Sequence, residues 1–235
     1  GIWIAGLQRG SILKNILFPL KLVVSFFQSV FILLRFRPNF AIGTGGFASG
    51  PILFIAHYLK IKTLIQEQNS YAGITNKALS KIVNVVAVAF EDMDRFFPKN
   101  KIILTGNPVR EELLDVESKK SEARAHFKLD SSKKTIVILG GSMGAQKINE
   151  TIAAHLPLFS ELGVQLIWQC GSLYFDQFKT HNEQDGIQVH EFIQKMDLLY
   201  AAADLLISRA GASSISELAL VGKPVLLIPS PHVAE

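Results

Sequence analysis

One pattern constrains this chain more than any other, and it runs twice. A short apolar run ends in a turn, a helical stretch follows, and the next apolar run begins. In the first series the strand-like runs are residues 39–42, 63–66, 83–88 and 102–104, with helical stretches at 51–59 and 72–80. In the second they are 135–139, 164–168, 187–190, 204–207 and 225–228, with helical stretches at 145–159, 173–179, 196–202 and 214–220. Runs this short and this apolar suit strands buried on both faces. Strand–helix alternation of this kind builds parallel sheets covered by helices on both faces. The expected fold is α/β with two doubly wound Rossmann-like domains. Between the series lies 111–132, rich in charge and poor in apolar residues, so the domains are set at 1–112 and 113–235. The chain opens inside what reads as a domain and stops after a strand, so both domains are expected to be incomplete, the first at its start and the second at its end.

Charge divides the chain at a different place, within the first domain. No Asp or Glu occurs up to Gln66, while Arg9, Lys14, Lys21, Arg35, Arg37, Lys60 and Lys62 do, giving +7 there and −3 beyond it. Eight of the 16 Phe share that acid-free stretch. Basic and aromatic residues together point to an anionic surface, and a membrane is the natural candidate. The overall charge of +4 gives no reason to expect nucleic acid. Residues 12–36 are the most apolar window, but Lys14, Asn15, Pro19, Lys21, Ser25 and Gln28 interrupt them. A spanning helix wants about 20 apolar residues in succession. The segment therefore reads as an interfacial or buried amphipathic helix.

A hydrophobic content of 49% against 19% charged excludes disorder as the main state. Cys170 is the single cysteine, so no intrachain disulfide and no cysteine cluster can form, and a reducing compartment is expected. The six His show no metal-ligand spacing, and no Gly-x-Ser-x-Gly elbow is present. Asp92-Met93-Asp94 lies in an acidic patch beside Glu91 and reads as a solvated charge cluster.

Three glycine-rich strand ends are candidate ligand sites. At Gly140-Gly141-Ser142-Met143-Gly144 a strand turns into a helix, where free N–H groups and the helix dipole attract an anion and Ser142 adds a hydroxyl. No Lys-Ser/Thr pair makes it a Walker loop, and tight packing alone would also account for the glycines. At Gly211-Ala212 the following helix carries Glu217, whose carboxylate can accept both hydroxyls of a ribose. Ser214-x-x-Glu217 is also a capping box, which taken alone is the stronger reading. The third is Gly43-Thr44-Gly45-Gly46, with Ser49-Gly50-Pro51 beyond. Gln66-Glu67-Gln68-Asn69 sets four hydrogen-bonding side chains at a strand end, where a sugar or only water can sit. Arg110, after Asn107-Pro108, can clamp a phosphate or stay solvated.

Singly these motifs are weak. In this order they closely resemble the MurG family of N-acetylglucosaminyltransferases of peptidoglycan synthesis, over essentially the whole chain. The resemblance implies a GT-B fold. It implies an inverting transfer of N-acetylglucosamine from UDP-N-acetylglucosamine to the 4-hydroxyl of the muramoyl sugar of undecaprenyl-linked lipid I, forming lipid II. The enzyme would be peripheral, at the cytoplasmic face of the bacterial inner membrane, touching anionic lipid. Carried over by position, Asn69, Arg110 and Ser142 hold the donor, with Ser142 at the diphosphate. Ile193 and the turn of Ala212, Ser213, Ser214, Ile215 and Ser216 surround uracil and ribose, and Glu217 takes the ribose hydroxyls. Gly45, Gly46, Ser49 and Glu67 fall on the acceptor side. No metal ligands and no tightly bound cofactor are implied, and divalent-cation dependence is left open. Gln66 stands where the family commonly has His, and Met143 where it has Gln. The family's N-terminal glycine loop and a donor-gripping Gln would lie outside this stretch. The general base is therefore assigned to no residue here, and this stretch alone is expected to be inactive. The alternatives are another GT-B transferase acting on a lipid, a non-hydrolysing UDP-sugar epimerase, or a non-catalytic membrane-associated subunit.

Overall fold

The structure is a computed structural model that describes residues 1–4 and 16–230. The first residues of the expected helix, 12–15, lie outside that range. The chain divides into two compact units between Asn107 and Pro108, a few residues ahead of the expected boundary. The difference has a packing cause. Glu111–Leu113 is a short 3-10 turn, and Leu113 is buried in the core of the second unit with Val116, Ala123 and Phe127. Ala123 lies on a helix, α4 (Lys120–His126), which the charged composition hid.

The first unit contains α1 (Phe18–Phe36), β1 (Phe40–Gly43), α2 (Ser49–Tyr58), β2 (Lys62–Glu67), α3 (Ile74–Ser80), β3 (Val85–Val88) and β4 (Ile102–Leu104). Its four strands are all parallel, in the order β1-β2-β3-β4. Ala41, Ile65, Val86 and Val88 form one core with Leu33 of α1, Leu53 and Ala56 of α2, and Leu79 of α3. All these helices cover one face. Phe40 and Ile42, pointing to the other face by strand alternation, are exposed. Helices on both faces, expected for each sheet, are thus found on one face of this sheet among the described residues.

Helix α1 is built inside out. Ser25, Ser29 and Leu33, spaced by four, are its buried residues. The two serine hydroxyls donate to the carbonyls of Leu22 and Ser25, both at 2.6 Å, so their burial leaves no donor unpaired. Leu20, Val23, Phe27, Phe31 and Leu34 recur at helical spacing on the opposite side and are exposed, Phe27 to 72%. The helix therefore presents an apolar stripe outward, and the fully buried reading of this segment does not hold. Asp92 and Asp94 are exposed around buried Met93, as a solvated cluster requires.

The second unit adds to α4 the elements β5 (Thr135–Leu139), α5 (Gln146–Ala154), α6 (Leu156–Glu161), β6 (Gln165–Gln169), α7 (Phe175–Phe178), β7 (Ile187–His190), α8 (Met196–Ala202), β8 (Leu205–Arg209), α9 (Ala212–Val221) and β9 (Val225–Ile228). Its five strands are parallel in the order β7-β6-β5-β8-β9. Alternation along the strands feeds two cores. Val137, Leu139, Ile167 and Leu206 pack with α8 and α9. Ile138, Leu166 and Trp168 pack with Ile148 and Ile152 of α5 and with Leu156 of α6. This sheet is covered on both faces, as expected. The single helix expected at 145–159 is two, parted at His155, because Pro157 sits at the start of α6 and cannot continue a preceding helix.

At the carboxyl end of β5 and β6 two backbones touch. Gly144 and Gly171 have φ of +93° and +87°. A Cβ on Gly144 would run into the Cys170 carbonyl and come within 2.5 Å of the Tyr174 ring, and one on Gly171 would strike the Gly144 backbone. Asn149 of α5, fully buried, holds this corner. Its amide donates to the Cys170 carbonyl at 2.8 Å and its oxygen accepts from the Trp168 indole at 2.9 Å. Burial pushes the Cys170 thiol up to about 11.

Two outcomes are expected. Leu113→Ala opens a cavity in the second core, at a cost of about 2–5 kcal/mol. Hydrogen exchange should accelerate in β5 and β8 and stay unchanged in β2 and β3. Cys170 should react slowly with a disulfide reagent at pH 8, being buried and protonated. Gly144→Ala, which adds about 1–3 kcal/mol of backbone strain as well as the clash, should speed that reaction.

Candidate functional site

In an open parallel sheet ligands bind at the carboxyl ends of strands where the chain reverses its direction of travel across the sheet. In the second unit the chain moves outward from β5 to β7, then returns to lay β8 on the other side of β5. The crevice at β5 and β8 is that point. Two sequence motifs open onto it. The turn of Gly140 to Gly144 follows β5, with Gly141 also at positive φ (+84°) and Ser142 exposed. The Ser142 carbonyl accepts from the Ser172 N–H at 3.0 Å, which ties this turn to the one after β6. After β8, Gly211 precedes α9 and its carbonyl takes the Ile215 N–H at 2.8 Å. The N–H groups of Ala212, Ser213 and Ser214 make up the first turn, where an anion is favoured.

Glu217 does not cap this helix. The N-cap is Gly211, no side chain bonds to it, and Ser214 already lies inside the helix. The Glu217 Oε2 instead accepts from the Tyr200 hydroxyl at 3.0 Å, and its Oε1 lies 3.4 Å from Arg110 Nε. The Glu217 side chain is 14% exposed and that of Arg110 48%. Burial, reinforced by the adjacent carboxylate, raises the Tyr200 phenol well above its ordinary range. Ser216 lies on the same helix, its hydroxyl donating to the Ala212 carbonyl at 3.1 Å. Ile193, just beyond β7, is buried, and its N–H donates to Gln169 Oε1 at 2.9 Å. Gln169 and Tyr200 are site neighbours that motif reading missed. Tyr200 stands beside no glycine turn, Gln169 precedes Gly171 by two residues without forming a glycine-rich motif, and the partners of both are distant in sequence.

The remaining candidates gather in the first unit. Gly45, Gly46, Glu67, Asn69 and Asn76 line a cavity of about 260 Å³. Gly45 and Gly46 have φ of +95° and +73°, and the Ser49 hydroxyl donates to the Gly45 carbonyl at 2.7 Å. Glu67 is buried. Its Oε1 accepts from the Asn69 N–H at 3.2 Å, and its Oε2 from the Gly73 N–H and the Asn76 amide, both at 2.9 Å. These bonds give it a role in shaping the loop that was not foreseen. Asn69 thus shares a cavity with the residues assigned to the acceptor side. The neighbouring Gln66 donates to Asn107 Oδ1 at 2.9 Å. No group of three or more His, Cys, Asp or Glu among the described residues is placed to hold a metal ion.

Residues 1–88 match the glycosyltransferase family 28 N-terminal domain, and residues 135–235 match the C-terminal domain of the same family. A curated relative from Flavobacterium psychrophilum is 57% identical over the whole chain, and one from Christiangramia forsetii is 52% identical. Each is named as a UDP-N-acetylglucosamine–N-acetylmuramyl-(pentapeptide) pyrophosphoryl-undecaprenol N-acetylglucosamine transferase. The chain spans 64% of the length of each. Among solved structures it is similar to MurG of Acinetobacter baumannii, with a TM-score of 0.67 and 30% identity over 92% of this chain and 59% of that one. A UDP-N-acetylglucosamine 2-epimerase from Neisseria meningitidis shares the fold at a TM-score of 0.66 and 16% identity, over 94% of this chain and 66% of that one. The GT-B fold class expected from the motifs agrees with these neighbours, and the chain belongs to glycosyltransferase family 28.

Proposed function

We propose that the protein transfers N-acetylglucosamine from UDP-N-acetylglucosamine to the 4-hydroxyl of the muramoyl sugar of lipid I, yielding lipid II and UDP with inversion at the anomeric carbon. The observation that carries this reading is the crevice at β5 and β8, onto which the glycine turn and the α9 N-terminus open, with the mostly buried Glu217 carboxylate on α9. The chain around it is about half identical to relatives named for this transfer. The chemistry is a single displacement. The acceptor oxygen attacks the anomeric carbon, its proton leaves to a base, and the bond to UDP breaks. No residue of the chain is assigned as that base.

The task of the second unit is to stabilise charge on the leaving diphosphate. Backbone N–H groups of the Gly140 to Gly144 turn and of Ala212 to Ser214 offer fixed donors that need no reorganisation. Ser142 adds a hydroxyl, and Arg110, released from Glu217, offers a cation. Glu217 accepts the ribose hydroxyls, and Ile193 lies beside the base. Because the Ile193 N–H is taken by Gln169, the base meets the Ile193 carbonyl unless Gln169 moves. In the first unit, the cavity lined by Gly45, Gly46 and Glu67, with Ser49 bonded to the Gly45 carbonyl, takes the acceptor, and Asn69 is assigned to the transferred sugar.

The apolar stripe of α1, with Lys21, Arg35 and Arg37 on the same helix or next to it, docks the enzyme on the anionic cytoplasmic face of the inner membrane. The large side chains enter the headgroup boundary and the cations meet lipid phosphates. Among the described residues α1 is the one helix long and apolar enough to cross a membrane. Its buried Ser25 and Ser29 favour lying flat, since one side is occupied by the protein.

Calorimetry should detect UDP-N-acetylglucosamine binding to this chain, with UDP-galactose weaker. Glu217→Ala should lower the affinity roughly tenfold to a hundredfold, from hydrogen bonds to a charged group worth about 1.5–3 kcal/mol. A folded chain that ignores the nucleotide sugar overturns the donor assignment. On vesicles containing phosphatidylglycerol the chain should float with the lipid. Phe27→Glu with Phe31→Glu should leave it in solution at an unchanged melting temperature.

A further inference from the structure

We propose that Tyr200 is a positioning residue that fixes the Glu217 carboxylate to recognise a pair of adjacent ribose hydroxyls, so that the site selects ribonucleotides over 2′-deoxyribonucleotides. The proposal rests on the reading of the second unit as the nucleotide-sugar site. The first observation is mechanical. Tyr200 is 1% exposed, on a helix whose residues Leu198 to Ala202 are all buried. A phenol turns on only two side-chain torsions, and close packing holds both. Its oxygen is therefore a fixed point, donating to Glu217 Oε2 at 3.0 Å.

The second observation is a count of acceptor positions. An ionised carboxylate offers about four lone-pair sites, two on each oxygen. Tyr200 occupies one on Oε2, and Arg110 approaches Oε1 at 3.4 Å. One site on each oxygen is left. Two acceptors on one rigid carboxylate match two vicinal hydroxyls, the arrangement that a ribose 2′,3′-diol presents and a deoxyribose does not. Without the phenol, the polar partner left to the carboxylate among the described residues is Arg110, whose side chain is half exposed. The carboxylate can then turn toward the guanidinium, and the paired geometry is lost. Burial keeps the phenol protonated across the physiological range, so the bond is always donated in the same direction.

A mostly buried carboxylate bridged by a tyrosine would also arise if Tyr200 merely filled the core, and the test must tell the two apart. Tyr200→Phe removes one oxygen and keeps the ring. Binding of UDP and of 2′-deoxy-UDP is measured by calorimetry on the wild-type chain, Tyr200→Phe and Glu217→Gln, with thermal melting to check the fold. The expected wild type binds UDP at least tenfold more tightly than 2′-deoxy-UDP. In Tyr200→Phe the UDP affinity should fall about tenfold while that of 2′-deoxy-UDP moves less than twofold, so the preference collapses. Glu217→Gln should lose the preference as well. If Tyr200→Phe weakens both ligands equally, or neither, the proposal is overturned and the nucleotide reading stands. If a folded wild type binds neither, both readings fall.

Discussion

Two stretches of main chain meet at the carboxyl edge of the five-stranded sheet with no side chain between them. Gly144 and Gly171 make that contact possible, and both adopt a backbone conformation open to glycine and costly to other residues. Much else depends on it. The turn after β5 can expose Ser142 and its neighbouring N–H groups only because its other side lies flush against the turn after β6. Asn149 closes the arrangement by serving the Cys170 carbonyl and the Trp168 indole at once. A buried amide that satisfies two partners is costly to replace, since either group left alone is a buried orphan. The geometry of the crevice is thus set by packing beneath it.

Charge is handled differently on the α9 side. Glu217 lies mostly out of solvent, and an unpaired carboxylate there would be costly. A neutral phenol and a half-exposed guanidinium share the cost. Neither neutralises the carboxylate fully, so it retains acceptor capacity toward a ligand. The first unit makes the opposite choice. Glu67 spends its oxygens on Asn69, Gly73 and Asn76, and so serves the shape of its own loop. Two acidic residues, one at a strand end and one a turn and a half into a helix, equally plausible as ligand contacts in sequence, differ in how much of their hydrogen-bonding capacity the fold has already used.

This difference marks how far the sequence could be read. The strands at Thr135–Leu139, Ile187–His190 and Val225–Ile228 were legible to the residue, because short runs, largely apolar or alternating, bounded by glycine, proline or charged residues leave few other options. The two parallel sheets followed from their alternation. Helix α4 was not legible, since its contribution to the core is the single small residue Ala123 among charges. The boundary was displaced for the same reason, as one leucine at 113 decides to which unit its turn belongs. The glycine turns and Glu217 stood out as motifs. Tyr200 and Gln169 did not, because hydrogen bonds between α8 and α9 and from the residue after β7 back to β6 leave no trace in local spacing. The capping-box pattern at Ser214 and Glu217 misled, since Gly211 begins the helix earlier.

The inverted build of α1 reverses the usual relation between side-chain size and tolerance to change. In most helices of globular proteins the large apolar residues are the ones that cannot be altered. Here Ser25 and Ser29 stand against the protein, and the ring of Phe26 packs edge-on against Phe54 at 5.3 Å beside them. Enlarging either serine pushes α1 off its support, and overpacking of this kind costs about 1–3 kcal/mol. Phe27, Phe31 and Leu34 touch little of the protein and can drift among apolar residues without loss of fold. Along this helix, divergence between related sequences is thus permitted at the bulky positions and restricted at the small ones.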